Sequence, residues 1–155
     1  MTVMFMEHAK SNNYTMKNKK YLLDTNILIE FIHGNKLVIN RMLQAGLENC
    51  CMSVISLHEL YYGAYNAKRK KTEYFEQEMT RINLLLQKFD VLPLPIKADQ
   101  YGIIKTQLLK IGKPIDEFDM IIGGQALDAG LVVVTDNLKH FENIPSLNVE
   151  NWTAR

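Results

Sequence analysis

Short apolar runs that end on acids, threonines or serines alternate along this chain with longer amphipathic stretches. The first run, Tyr21-Leu22-Leu23, closes on Asp24-Thr25-Asn26. It predicts a buried strand over Tyr21–Asp24, then a helix over Thr25–His33 stopped by Gly34-Asn35. Lys36 to Leu47 repeats the helical period, with Leu37, Val38, Met42 and Leu43 on a shared face. Cys50-Cys51-Met52-Ser53 predicts a second strand, leading into a helix that carries Glu59 and ends by Lys71. Thr72–Lys88 predicts a long amphipathic helix with Phe75, Met79, Ile82, Leu85, Leu86 and Phe89 along one side. Asp90 to Leu94 is a short strand stopped by prolines, which cannot donate to a ladder. Lys97 to Ile111 is helical until Gly112-Lys113-Pro114. From Pro114 to Leu127, three acids precede an apolar helix whose Gly123, Gly124 and Ala126 let it lie close against a sheet. Gly130 to Thr135 is apolar and β-branched, as befits a strand covered on both faces. A short helix over Leu138–Phe141, a small edge strand over Leu147–Val149 and a tail packed back by Trp152 complete the chain. Strands alternating with helices give an α/β fold with a central, mainly parallel sheet.

Composition narrows the class. The 155 residues, 47% hydrophobic and 23% charged, suit one globular domain with a real core. Net charge is only +1, so any nucleic-acid binding must come from a local basic surface. Lys68-Arg69-Lys70-Lys71 is one such cluster, and reads equally as a solvated helix end. No apolar run approaches the ~18–20 residues a membrane span needs. Met1 to Lys20 lacks the apolar core of a signal peptide. Residues 1–19 read as a weakly ordered extension, with Met16 an alternative start, and 20–155 as the domain. The cysteines are adjacent, Cys50-Cys51, which points to reduced thiols in a cytoplasm and neither to a disulfide framework nor to a thiolate metal site.

The acids carry the candidate chemistry. Asp24 follows a strand, where ligands sit in open α/β sheets, but Asp also caps helices. Ser56 and Glu59 have the spacing of a capping box, and Asp116, Glu117 and Asp119 are acids favoured by a helix dipole. Taken as a set, Asp24, Glu59, Asp119 and Asp136-Asn137 all fall where a strand has ended or a helix begun. In a parallel sheet those places share one edge. Carboxylates gathered there repel and raise one another's pKa until a divalent cation with oxygen ligands relieves them. Such a site activates water against a phosphodiester.

Leu22-Leu23-Asp24-Thr25-Asn26, Ser53 to Gly63 with Glu59, Phe118-Asp119-Met120-Ile121-Ile122-Gly123-Gly124 with Ala126, and Val133-Val134-Thr135-Asp136-Asn137, in this order and spacing, resemble the PIN-domain ribonucleases, specifically the VapC-type toxins of toxin–antitoxin pairs. His140-Phe141 through Ile144-Pro145 to Trp152 resembles the tail of that group, and the likeness spans roughly Lys20 to Trp152. It implies a PIN-like three-layer fold and a Mg²⁺-dependent endoribonuclease, with Mn²⁺ as the alternative ion. Asp24, Glu59 and Asp119 are then the metal carboxylates and Asn137 stands at the fourth catalytic position, with Asp136 pointing elsewhere. Thr25, Asn26 and Thr135 orient the acids, while His58 and His140 are expected to be packed or superficial. The resemblance further implies a VapB-type antitoxin whose tail lies in a groove walled by Ile27, Ile29, Phe31, Leu37 and the Phe75 helix, and a homodimer. Two rivals are a catalytically silent PIN module binding RNA or protein, and a Mg²⁺-dependent phosphohydrolase. The first is disfavoured by the full set of acids, the second by the amide of Asn26 where a paired aspartate would stand.

Overall fold

A computed structural model describes residues 16–154. The expected N-terminal extension lies outside them except for its last four residues. These join the fold: Met16–Asn18 is a 3-10 turn, and the Lys19 ammonium reaches the Asp90 carboxylate at 2.8 Å and the Glu48 carbonyl at 2.8 Å.

Five strands are found among the described residues: β1 (Tyr21–Leu23), β2 (Cys50–Ser53), β3 (Asp90–Leu92), β4 (Val132–Val134) and β5 (Val149–Glu150). All pair in parallel, in the order β3-β2-β1-β4-β5. The chain lays β2 and β3 on one side of β1, then crosses back to lay β4 and β5 on the other. The topological switch point therefore flanks β1, where ligands collect at the carboxyl edge of such sheets.

Among the described residues seven α-helices cover the sheet: α1 (Thr25–Ile32), α2 (Lys36–Ala45), α3 (Val54–Lys68), α4 (Thr72–Lys88), α5 (Asp99–Lys110), α6 (Glu117–Ala129) and the single turn α7 (Leu138–Phe141). Successive strand residues point to opposite faces, and the core divides accordingly. Leu22, Cys51 and Val133 pack with Ile104, Leu108, Ile122 and Phe141 of α5–α7. Leu23, Cys50, Met52 and Val134 pack with Ile27, Leu28, Val38, Met42 and Leu85 of α1, α2 and α4. This is the expected three-layer α/β/α arrangement. Cys50 and Cys51 are free and fully buried, and burial pushes their thiols up to about 11 and about 12.

Several boundaries differ from the sequence reading. Asp24 is not the end of β1 but the cap of α1: in extended backbone it accepts the Thr25 N–H. The capping box expected at Ser56 and Glu59 does not form. The helix starts earlier, on Ser53, whose hydroxyl accepts the Ile55 N–H at 3.0 Å, so Ser56 is already helical. β4 is shorter than Gly130–Thr135, because Gly130 closes α6 in the left-handed region (φ 65°). β5 falls after Leu147, beyond a turn at Ser146. Leu37, Leu43 and Leu86 stay exposed, since only the Val38–Met42 and Ile82–Leu85 faces reach the core. Gly123 and Gly124 do permit close approach, but to other helices and loops. A Cβ at Gly123 would stand 2.7 Å from Ile144 Cδ1, and one at Gly124 3.3 Å from the Tyr101 backbone nitrogen.

The tail closes the barrier between core and solvent beneath β1. Trp152 is buried, stacks edge-on against Tyr21 at 5.0 Å between ring centroids, and donates its indole N–H to Glu150 at 2.7 Å. Trp152→Ala should lower unfolding stability by about 3 kcal/mol, read from urea denaturation. A loss under about 1 kcal/mol would mean that the tail does not hold the core.

Candidate active site

Every strand of a parallel sheet presents its carboxyl end on the same edge, and four chain segments meet there. The ends of β1 and β4 are zipped together by the Asp24 N–H donating to the Val134 carbonyl at 2.9 Å. Their following triplets, Asp24-Thr25-Asn26 and Thr135-Asp136-Asn137, then clasp one another reciprocally. The Thr135 hydroxyl donates to Asp24 Oδ2 at 2.9 Å, while the Asn26 amide donates to Asp136 Oδ1 and, at 3.4 Å, to Thr135 Oγ1. The Asn137 N–H closes onto Thr135 Oγ1 at 3.0 Å.

Glu59 and Asp119 come from helices on either side. Glu59 lies in the second turn of α3 and receives the Thr25 hydroxyl on Oε2. Asp119 lies in the first turn of α6, where the helix dipole favours an anion. That helix is capped by Asp116, which accepts the Phe118 N–H at 2.9 Å. Asp119 is thus free of capping duty, and its Oδ2 meets Nδ1 of His140.

The electrostatics follow from burial. Asp24 is 6% exposed, and loss of hydration pushes it up to about 6. Hydrogen bonds from Thr25 and Thr135 oppose that rise, while the charges of Asp119 and Glu59 add to it. Glu59 is raised first by burial and then by Asp119 and Asp116, against the Thr25 bond. Asp119 is raised by burial, against the His140 bond and charge. Asp24, Glu59 and Asp119 therefore feel one another, and Asp116 adds a fourth negative charge at the rim.

Other residues have different places. Asp136 is exposed and turned to Asn26, away from Asp24. Asn137 is half-buried beside the cluster and is tied to it through its backbone; its side chain makes no cap bond to α7. His58 bonds the Val54 carbonyl of its own helix at 2.7 Å. His140 is half-exposed, within the superficial placement expected of it, and also touches an acid of the cluster, Asp119. No local pattern marks this contact, because Asp119 lies on another helix.

The donor set suits a hard divalent cation: three carboxylates and a neighbouring amide, all oxygen donors, crowded where water is scarce. Among the described residues no three acid or histidine side chains yet converge on one point at ligand distance. Glu59 is turned onto Thr25 and Asp119 onto His140, so the cluster is held close without being collapsed. From the same edge a groove of about 580 Å³ runs outward from Thr25 and Glu59, between α1, α3 and α4, to Lys70 and Arg81.

A carboxyl with pKa 3.8 in the unfolded chain and about 6 in the folded one takes up a proton on folding between those values. Stability contributed by that proton is present at low pH and falls as pH rises through the window. Glu59 and Asp119 act in the same direction. Metal-free Asp24→Asn should therefore gain stability over the native chain as pH rises from about 4 to about 7, by about 1–3 kcal/mol. Urea midpoints measured side by side check this; a difference that does not change with pH would contradict the buried, repelled carboxylate.

Residues 21–147 match the PIN domain family model. The chain is 39% identical over 134 residues to a ribonuclease VapC2 of Haemophilus influenzae, covering 86% of this chain and 98% of that protein. It is 32% identical over 135 residues to a tRNA(fMet)-specific endonuclease VapC of Shigella flexneri, with the same coverage. Among solved structures, a DNA-bound VapBC complex from Salmonella typhimurium contains a chain that superposes with a TM-score of 0.76 at 33% identity, covering 86% of this chain and 98% of that one.

Proposed function

The chain belongs to the PIN-domain family, among its VapC ribonucleases, and we propose that it is a Mg²⁺-dependent endoribonuclease toxin neutralised by a VapB-type antitoxin. The observation that carries this reading is the meeting of Asp24, Glu59 and Asp119 at one sheet edge, within reach of each other's charge.

Asp24, Glu59 and Asp119 would hold the ion, with Asn137 beside them. Bound there, Mg²⁺ or Mn²⁺ would supply a nucleophile by acidifying water and offset charge on the phosphodiester. The chain's own groups set the frame. Thr135 and the Thr25 N–H fix both oxygens of Asp24. Thr25 also holds one oxygen of Glu59, so a single residue aligns two acids from different elements. Burial excludes bulk water from Asp24. Lys68, Arg69, Lys70 and Lys71, at the turn between α3 and α4, provide the local basic surface that a net charge of +1 demands for contact with RNA phosphates.

The first substrate to test is initiator tRNA, since relatives from Shigella flexneri and Salmonella typhimurium are named for it. Purified protein with Mg²⁺ should cut RNA to leave 5′-phosphate and 3′-hydroxyl ends, and EDTA should stop it. Asp119→Asn should lower the rate by at least about 100-fold and abolish growth inhibition. Cleavage that survives chelation, or a fully toxic variant, would contradict the reading.

The antitoxin tail fits the groove between α1, α3 and α4. Its wall differs from the one expected. Ile27 is fully buried in the core, and Phe31 and Leu37 do not reach it. Ile29 and Ile32 of α1, Leu60 of α3 and Tyr74 and Arg81 of α4 line it instead. Ile29 lies on the opposite side of α1 from the core-facing Ile27 and Leu28, which is why it is 38% exposed. A homodimer acting in the cytoplasm completes the proposal. Sedimentation should give about twice 17.9 kDa for the chain alone and a heavier complex with antitoxin. Ile29→Asp should remain dimeric and lose the complex; a variant that still binds antitoxin would move the interface elsewhere.

A further inference from the structure

The contact between His140 and Asp119 has no structural errand of its own. Asp119 does not cap α6, since Asp116 does. His140 is not core: its side chain is 40% exposed, against 17% for Asp119. A histidine at a helix end can be held by the last carbonyls, yet this imidazole is turned across to a carboxylate on a different helix. We infer that His140 is a positioning residue for Asp119, and that its Nδ1–H fixes which carboxylate oxygen Asp119 offers to the divalent cation. The inference rests on the metal-dependent reading above.

Three features make the imidazole a fixed donor. The first is α7 itself. A single helical turn is not stable alone, but this one is pinned at both ends. The Asn137 N–H holds Thr135 Oγ1 at 3.0 Å, and Phe141, fully buried, anchors the other end with Ile144 behind it. His140 lies between those anchors.

The second is the spacing of α6 and the segment after α7. Gly123 is one turn beyond Asp119, and Ile144 is four residues beyond His140. A Cβ on Gly123 would stand 2.7 Å from Ile144 Cδ1. The missing side chain allows the two segments to close there, and the same closure one turn earlier brings His140 against Asp119.

The third is the tautomer. Facing an ionised carboxylate, which can only accept, Nδ1 is the nitrogen that carries the proton. It engages Oδ2 and leaves Oδ1, to which no described residue donates, on a carboxylate whose charge couples to those of Asp24 and Glu59. The pair also joins α6 to the element that follows β4. Asp119 is thereby keyed to the same Thr135 hinge that holds Asp24.

Residues that hold the ligands of an ion commonly change its affinity by 10–100-fold when removed. The test measures Mn²⁺ binding to the full-length, antitoxin-free protein by titration calorimetry, with no RNA present. In asparagine the amide nitrogen is as many bonds from Cα as Nδ1 is in histidine; in glutamine it is one bond farther. His140→Ala and His140→Gln should each weaken Mn²⁺ binding by about 10-fold or more, whereas His140→Asn should stay within about threefold of the native chain. Melting temperatures identify any variant that fails to fold, and Asp119→Asn reports on the metal site itself. Native affinity in the Ala or Gln variant, or loss in the Asn variant as deep as in Ala with its fold intact, overturns the positioning role while Asp119→Asn still shows a metal site. A native chain that binds no Mn²⁺ overturns both readings.

Discussion

The hydrogen bond from the Thr135 hydroxyl to Asp24 is the contact on which the site depends. It spans 111 residues of sequence and exists only because β1 and β4 pair in parallel and in register, Leu23 beside Val134. That pairing places two polar triplets side by side at the one point where the sheet's winding reverses. Burying a carboxylate without partners would cost several kcal/mol. Here the Thr25 N–H and the Thr135 hydroxyl meet both oxygens, so the charge is tolerated, with a pKa near 6 as the residual cost. The strain of like charges is thereby stored in a rigid frame, where a cation can relieve it.

The other acids are attached to this frame by borrowed contacts. Thr25 gives its N–H to Asp24 and its hydroxyl to Glu59. Asn26 locks Asp136 out of the cluster and leaves Asn137 beside it. His140 reaches Asp119 from the far side of the same hinge. Asp24 also caps α1, whereas the helices that carry Glu59 and Asp119 are capped by Ser53 and Asp116, so alteration of these two acids is expected to act on chemistry more than on folding. The groove that begins at Glu59 joins this centre to an apolar and basic surface formed by three helices. A tail lying there would end at the acids, so occupancy of one surface would close the other.

Much of this was legible in the sequence, because strand-terminal acids and the echo between Asp24-Thr25-Asn26 and Thr135-Asp136-Asn137 are local patterns. The apolar runs located β1 to β4 and the neighbourhood of β5, and their parallel order put the acids on one edge. What was not legible depends on distance. No periodicity reveals that the two triplets bond across to each other, since that requires the register of β1 against β4. Ser56 has the spacing of a capping box with Glu59, yet the backbone where β2 ends makes Ser53 the cap. Ile27 and Ile29 look alike in a helical run, yet a 200° turn of the helix puts one in the core and the other on the groove. His140 was missed because its partner lies on another helix, brought near by the absence of a side chain at Gly123.

In the proposed function, Asp24, Glu59 and Asp119 form one cation site at the carboxyl edge of the sheet. Anomalous diffraction from crystals grown with Mn²⁺ tests it most directly. An anomalous peak is expected at roughly 2.0–2.3 Å from carboxylate oxygens of Asp24 and Asp119, with Glu59 a direct or water-bridged ligand. A peak elsewhere on the molecule, or none at this edge at saturating Mn²⁺, would contradict it.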